Sequence, residues 1–198
     1  MHRFYIDNNQ IQGGKALITG EDVNHIKNVL RMKTGEKSVL CNKEGRDYIC
    51  SILEIQSDKV LFLIEEERTS DTELKGRIYL FQGLPKKDKM ELIIQKAVEL
   101  GVYEVIPVIT NRTVVKLEDP RKELKRLERW QAIAVSAAKQ SGRGIIPKVL
   151  RIHRFREALE YADILDKKLI PYENEKGINY TKDILNTVKP TDKVGVLL

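Results

Sequence analysis

The sequence predicts a mixed α/β protein: a small β-barrel over residues 1–70, then an α/β domain with a mostly parallel sheet over 71–198. Three observations predict it. Short β-branched runs, with one helical period among them, fill the first part. A polar stretch without a hydrophobic period, EEERTSDTELKG at 65–76, reads as the linker. Beyond it strand-like and helix-like segments alternate, as they do in parallel sheets covered by helices.

In the first part the strand runs are KALITG (15–20), KSVLCN (37–42), YICSILEI (48–55) and KVLFLIEE (59–66). Gly35, Asn42 to Gly45, and Ser57-Asp58 supply the turns. Between the first two runs, Val23, Ile26, Val29 and Leu30 recur at helical spacing and predict a helix over Glu21–Met32.

In the second part RIYLFQGL (77–84) is apolar almost throughout, as a strand buried on both faces is. A helix over about 88–100 follows, with Asp88 and Glu91 as a capping box and Gly101 at its end. YEVIPVIT (103–110) completes a βαβ unit. A longer helix runs from about Pro120 to Gln140, with Asp119 as N-cap and Pro120 at the first helical position. Leu124, Leu127, Trp130, Ile133, Ala134 and Ala137 form its apolar side. Arg121, Lys122, Lys125, Arg126 and Arg129 form a strongly basic other side. PKVLRI (147–152), KKLIPY (167–172) and KVGVLL (193–198) read as further strands, with short helices near 154–162 and 181–188.

Composition narrows the function. The net charge is +6, which favours an anionic partner such as nucleic acid. No run approaches the roughly 18 apolar residues of a membrane span. MHRFYIDNNQ lacks the apolar core of a signal peptide, so a cytoplasmic setting is expected. The only cysteines, Cys41 and Cys50, read as reduced core residues, and the scattered histidines predict no metal site.

The candidate chemistry lies where strands end. Lys86, Lys87 and Lys89 stand at the start of a helix, where the helix dipole repels cations and free N–H groups attract anions. Placing lysines there makes a phosphate site. Arg112 and Lys116 follow the second strand and fall on the same edge, and Arg143 lies in KQSGRG at the end of the long helix. A guanidinium offers a planar donor fork for phosphate or base. Neither a phosphate-loop nor a dinucleotide glycine pattern is present, so nucleotide hydrolysis and hydride transfer are unsupported.

LPKKDKMELIIQKAVELGVYEVIPVITNRTVVK, followed by RLERWQAIAVSAAKQSGRGIIPKV, strongly resembles the RsmE family of ribosomal RNA uridine methyltransferases, which have the knotted SPOUT fold. HRFYI and HIKNVLRMKTGE resemble that family's PUA-like N-terminal domain. The resemblance implies S-adenosylmethionine as methyl donor, methylation of N3 of one uridine of 16S rRNA in the 30S subunit, and a homodimer with the cofactor held in a trefoil knot. LIPYE (169–173) resembles the family's strand-end motif, making Ile170, Pro171, Tyr172 and Glu173 candidates to line the cofactor pocket. VGVLL (194–198) resembles the strand entering the family's Gly-Pro-Glu-Gly-Gly loop, which adds Leu197 and Leu198. That loop and a later Arg-x-Leu-Arg-x-Glu-Thr-Ala run have no counterpart here, so the chain is expected to be a truncated member, inactive as given. Arg112, Arg143 or a lysine of the 86–89 loop would stabilise charge on the uracil ring as catalytic cations, and Arg3 and Arg31 would contact phosphate. The competing expectation is a non-catalytic ribosomal RNA-binding module.

Overall fold

The computed structural model describes residues 1–86, 89–111, 113, 119–172 and 178–198. The chain forms two units: Met1–Glu73 with Gly142–Ile146, and Leu74–Ser141 with Pro147–Leu198.

The first unit is a six-stranded sheet built from β1 (His2–Tyr5), β2 (Ile11–Gln12), β3 (Lys15–Thr19), β4 (Lys37–Cys41), β5 (Arg46–Ile55) and β6 (Lys59–Thr69). The spatial order is β1-β4-β5-β6-β3-β2, antiparallel except for β1 beside β4. Alternation sends Phe4, Ile18, Leu40, Ile52 and Phe62 into one core. Full burial of each such side chain contributes about 1.5–3 kcal/mol. β6 runs to Thr69, so the polar run Glu65–Glu67 is exposed strand paired with β5 rather than linker. The ladder supplies its backbone partners, so it needs no apolar pattern.

The helix expected over Glu21–Met32 is shorter and wider. α1 (Glu21–Asn24) passes into a π-helical turn, His25–Val29, closed by Leu30 N–H donating to His25 O at 2.9 Å. Arg31 follows with φ 53°, in the left-handed position where glycine usually ends a helix.

The second unit contains β7 (Arg77–Gly83), β8 (Glu104–Ile109), β9 (Lys148–Val149), β10 (His153–Arg154), β11 (Lys167–Leu169) and β12 (Lys193–Leu197). Its order is β10-β8-β7-β12-β11, with β9 also beside β8, and every pairing is parallel. The helices are α2 (Lys89–Glu99), α3 (Pro120–Ser141), α4 (Phe155–Tyr161) and α5 (Ile178–Asn186). Tyr79, Phe81, Ile106 and Val108 pack on one face against Ala158, Ala162 and Leu165. α2 ends as its glycine predicts: Gly101 has φ 99° and Val102 N–H reaches Ala97 O at 2.9 Å. Asp119 caps α3 by accepting from Arg121 N–H at 2.9 Å. Asp88, the other expected cap, lies outside the described residues. Of the strand expected over 147–152 only β9 forms, and β10 follows it at His153–Arg154.

Candidate cofactor and RNA site

Because the second sheet is wholly parallel, its strands all end at one edge, where α/β sheets bind ligands. β11 delivers Ile170, Pro171 and Tyr172 there, all exposed. The adjacent β12 delivers Leu197 and Leu198. The pairing of β12 with β7 continues past the strand end: Leu198 N–H donates to Phe81 O at 2.9 Å, and Gly83 N–H to Leu198 O at 2.7 Å. Gly83 permits that approach, since a Cβ there would stand 3.1 Å from the Leu198 oxygen.

Beside these ends lies an open apolar pocket of about 50 Å³. Phe81, Gly195 and Leu197 form its floor, Phe155 and Leu159 of α4 one wall, and Ile170 another. Gly195 keeps this floor low: a Cβ would fall 2.5 Å from Leu165 Cδ1 and 3.1 Å from Phe81 Cε2, so both would have to shift. Phe155 and Leu159 keep large exposed apolar surface. An apolar recess rimmed by strand-end backbone suits the apolar part of a small ligand.

The cations divide. Lys86, after β7, and Lys89, the first residue of α2, are exposed at the same edge. Lys87, Arg112, Lys116 and Glu173 lie outside the described residues. Arg31 is exposed in the first unit.

Arg143 is held by an acidic partner. It belongs to the first unit and is only 4 % exposed. Its Nε and one terminal nitrogen donate to Glu73 at 3.0 and 2.7 Å. Tyr5 hydroxyl donates to Arg143 O. Much of its donor fork is thus committed to a carboxylate rather than open to phosphate. Arg3 is similarly engaged, with two bonds of 2.8 and 2.7 Å to the fully buried Asp47. Burial lowers the Arg3 pKa, but the Asp47 hydrogen bond and charge outweigh it, leaving Arg3 above its ordinary value.

Glu73 is the residue that sequence reasoning missed. It accepts from Gly144 N–H at 2.7 Å and Ile145 N–H at 3.2 Å as well as from Arg143. It stands in a polar run with nothing to distinguish it from its neighbours. Gly195 carries no sequence signal either, because its role depends on Leu165 and Phe81. Among the described residues no group of His, Cys, Asp and Glu could hold a metal ion, and no helix is long and apolar enough to cross a membrane.

Comparison with known proteins agrees with this geometry. Residues 72–198 match the RNA methyltransferase domain family, and residues 18–65 match an RNA methyltransferase PUA domain. Ribosomal RNA small subunit methyltransferase E of Bacillus subtilis (strain 168) is 40% identical over 176 residues, covering 87% of this chain and 68% of that protein. The crystal structure of a ribosomal RNA small subunit methyltransferase E from Neisseria gonorrhoeae, bound to S-adenosyl methionine, superposes with TM-score 0.78 at 32% identity, over 100% of this chain and 78% of that one. A Legionella pneumophila protein in complex with the bound cofactor SAM gives TM-score 0.75 at 27% identity, over 99% and 78%.

Proposed function

The chain belongs to the RsmE family of ribosomal RNA methyltransferases, and from that premise we propose that it methylates N3 of a uridine in 16S rRNA of the small subunit with S-adenosylmethionine as donor. The observation that carries this reading is the apolar recess at the carboxyl ends of β11 and β12, with lysines at the end of the neighbouring β7.

S-adenosylmethionine, when bound, supplies an electrophilic methyl group on a sulfonium sulfur. Phe81, Leu197, Leu198, Ile170, Pro171 and Tyr172 would hold it, with Glu173 next in sequence as a further candidate. Their apolar surface excludes water and fixes the donor relative to the base. Uracil N3 must lose its weakly acidic proton, so negative charge develops on the ring oxygens. Fixed cations stabilise that charge most effectively in a site closed to water. With Arg143 paired to Glu73, the cationic role passes to Arg112 and the lysines at 86, 87 and 89. Lys116 and Arg31 would contact phosphates, which positions the RNA without reading its sequence. A homodimer acting in the cytoplasm completes the proposal.

The test is transfer of radiolabelled methyl from S-adenosylmethionine to 30S subunits taken from a strain lacking the family's enzyme. Label at uridine N3 is expected. Titration calorimetry with S-adenosylmethionine runs beside it. RNA binding with no heat of cofactor binding would replace the enzyme by a binding module.

A further inference from the structure

α3 carries its charge where a helix is least suited to it. Between Pro120 and Trp130 stand Arg121, Lys122, Lys125, Arg126 and Arg129, against only Glu123 and Glu128. This is the amino-terminal half of the helix, where the dipole is positive. Arg121 and Lys125, Lys122 and Arg126, and Lys125 and Arg129 are each four residues apart, so like charges face each other along the surface.

The helix does not neutralise them. Among the described residues Arg129 alone of these forms an ion pair, with Glu91 of α2 at 2.8 Å. Arg126 is half-buried, with its guanidinium 6.0 Å from the Trp130 ring. Among the described residues, neither Glu123 nor Glu128 forms an ion pair with these cations, and Arg121, Lys122 and Lys125 stand exposed without an acidic partner. The opposite side, with Trp130, Ala134, Ala137 and Ala138, is buried, so the basic arc faces outward.

Position adds to this. α2 and α3 each follow a parallel strand and so begin at the strand-end edge. Arg129 is ten residues into α3, whereas its partner Glu91 is three residues into α2. α3 therefore has about seven residues more, roughly 10 Å of helix, before that pair than α2 has.

We propose that the exposed arc of Arg121, Lys122 and Lys125, flanked by Arg126, is a phosphate-contact surface for ribosomal RNA, additional to the strand-end site. Self-repelling cations, aligned along one helix face and left unpaired, are stabilised by a polyanion with closely spaced charges, which RNA provides. The inference rests on the ribosomal RNA reading above.

The experiment compares the 198-residue chain with R121Q/K122Q/K125Q and with a control triple, K139Q/K148Q/K182Q, of the same net charge. Binding to purified small-subunit ribosomal RNA is measured by filter binding across a salt series. The α3 triple should lower the slope of log affinity against log salt by about 2–3 and weaken binding about tenfold or more at low salt. The control should lower the slope by less than about 1. The melting temperature of the α3 triple should hold or rise, because like-charge pairs are removed. An unchanged slope, an equal fall in the control, or a lower melting temperature would each overturn the proposal. Methyl transfer to 30S subunits is measured separately and bears on the enzymatic reading alone, while the salt slopes decide on α3.

Discussion

Glu73 and Arg143, separated by 70 positions, form a largely buried ion pair that fastens Gly142–Ile146 into the first unit. One carboxylate oxygen accepts from Arg143 Nε and from the Gly144 and Ile145 N–H groups, while the other takes the Arg143 terminal nitrogen. The backbone also closes in. Gly45 N–H donates to Gly144 O at 3.0 Å, and a Cβ on Gly144 would collide with the Ser70 hydroxyl at 2.3 Å. Removing one partner leaves a buried charge uncompensated. Glu73→Ala should lower stability by about 3–5 kcal/mol, and Glu73→Ala with Arg143→Met by less. Urea unfolding of the single and double variants measures both. A loss below about 1 kcal/mol for Glu73→Ala would show that the pair does not hold the segment.

Local patterns in the chain were readable wherever they reported local physics. The Asp119 cap, the Gly101 terminus and the apolar run of β7 state their roles through neighbours in sequence. Arg143 is harder to read because its partner is distant. Beside two glycines at a helix end, it has the same appearance whether it meets phosphate or Glu73. β6 was cut short for a related reason: an exposed strand can carry Glu65, Glu66 and Glu67 once β5 pairs with its backbone. The π-helical turn at His25–Val29 keeps apolar residues at helical spacing, so periodicity alone did not separate it from an α-helix.

Gly195 sets the floor of the apolar pocket. A methyl group there would meet Leu165 Cδ1 at 2.5 Å and Phe81 Cε2 at 3.1 Å. The Leu165 terminus can move, but the pocket lies beside it. Gly195→Ala should lower stability by about 1–3 kcal/mol through overpacking. It should also weaken S-adenosylmethionine binding about tenfold by calorimetry, an effect of about 1.4 kcal/mol. Adding Leu165→Ala should restore part of the affinity. Unchanged affinity in Gly195→Ala would place the cofactor elsewhere.

Alkaline pH should weaken the first unit. Burial, with the Glu65 charge second, pushes the Cys50 thiol from its ordinary 9.0 up to about 12. Burial also raises Cys41 and Tyr5. Above pH about 9 an unfolded chain releases protons that the folded chain retains, so stability is complete below that pH and falls as pH rises toward about 12. Urea midpoints between pH 8 and 11 should decline, with a shallower decline in Cys50→Ala. A flat profile in the unmodified protein would show that these groups ionise equally in both states.

Arg31 offers a separation of stability from binding. A non-glycine residue at φ 53° costs about 1–2 kcal/mol relative to an unstrained backbone. The position closes the π-helical turn, where Met32 N–H reaches Ile26 O at 2.9 Å, so the backbone must stay left-handed whatever side chain is present. Glycine would adopt it without strain. Arg31→Gly should therefore hold or raise the melting temperature, while Arg31→Ala should not. Both variants should weaken ribosomal RNA binding and reduce the salt slope by somewhat under 1, because each removes one exposed cation. If binding and slope match the unmodified chain in both variants, Arg31 contacts no phosphate and the strain at its backbone serves the turn alone.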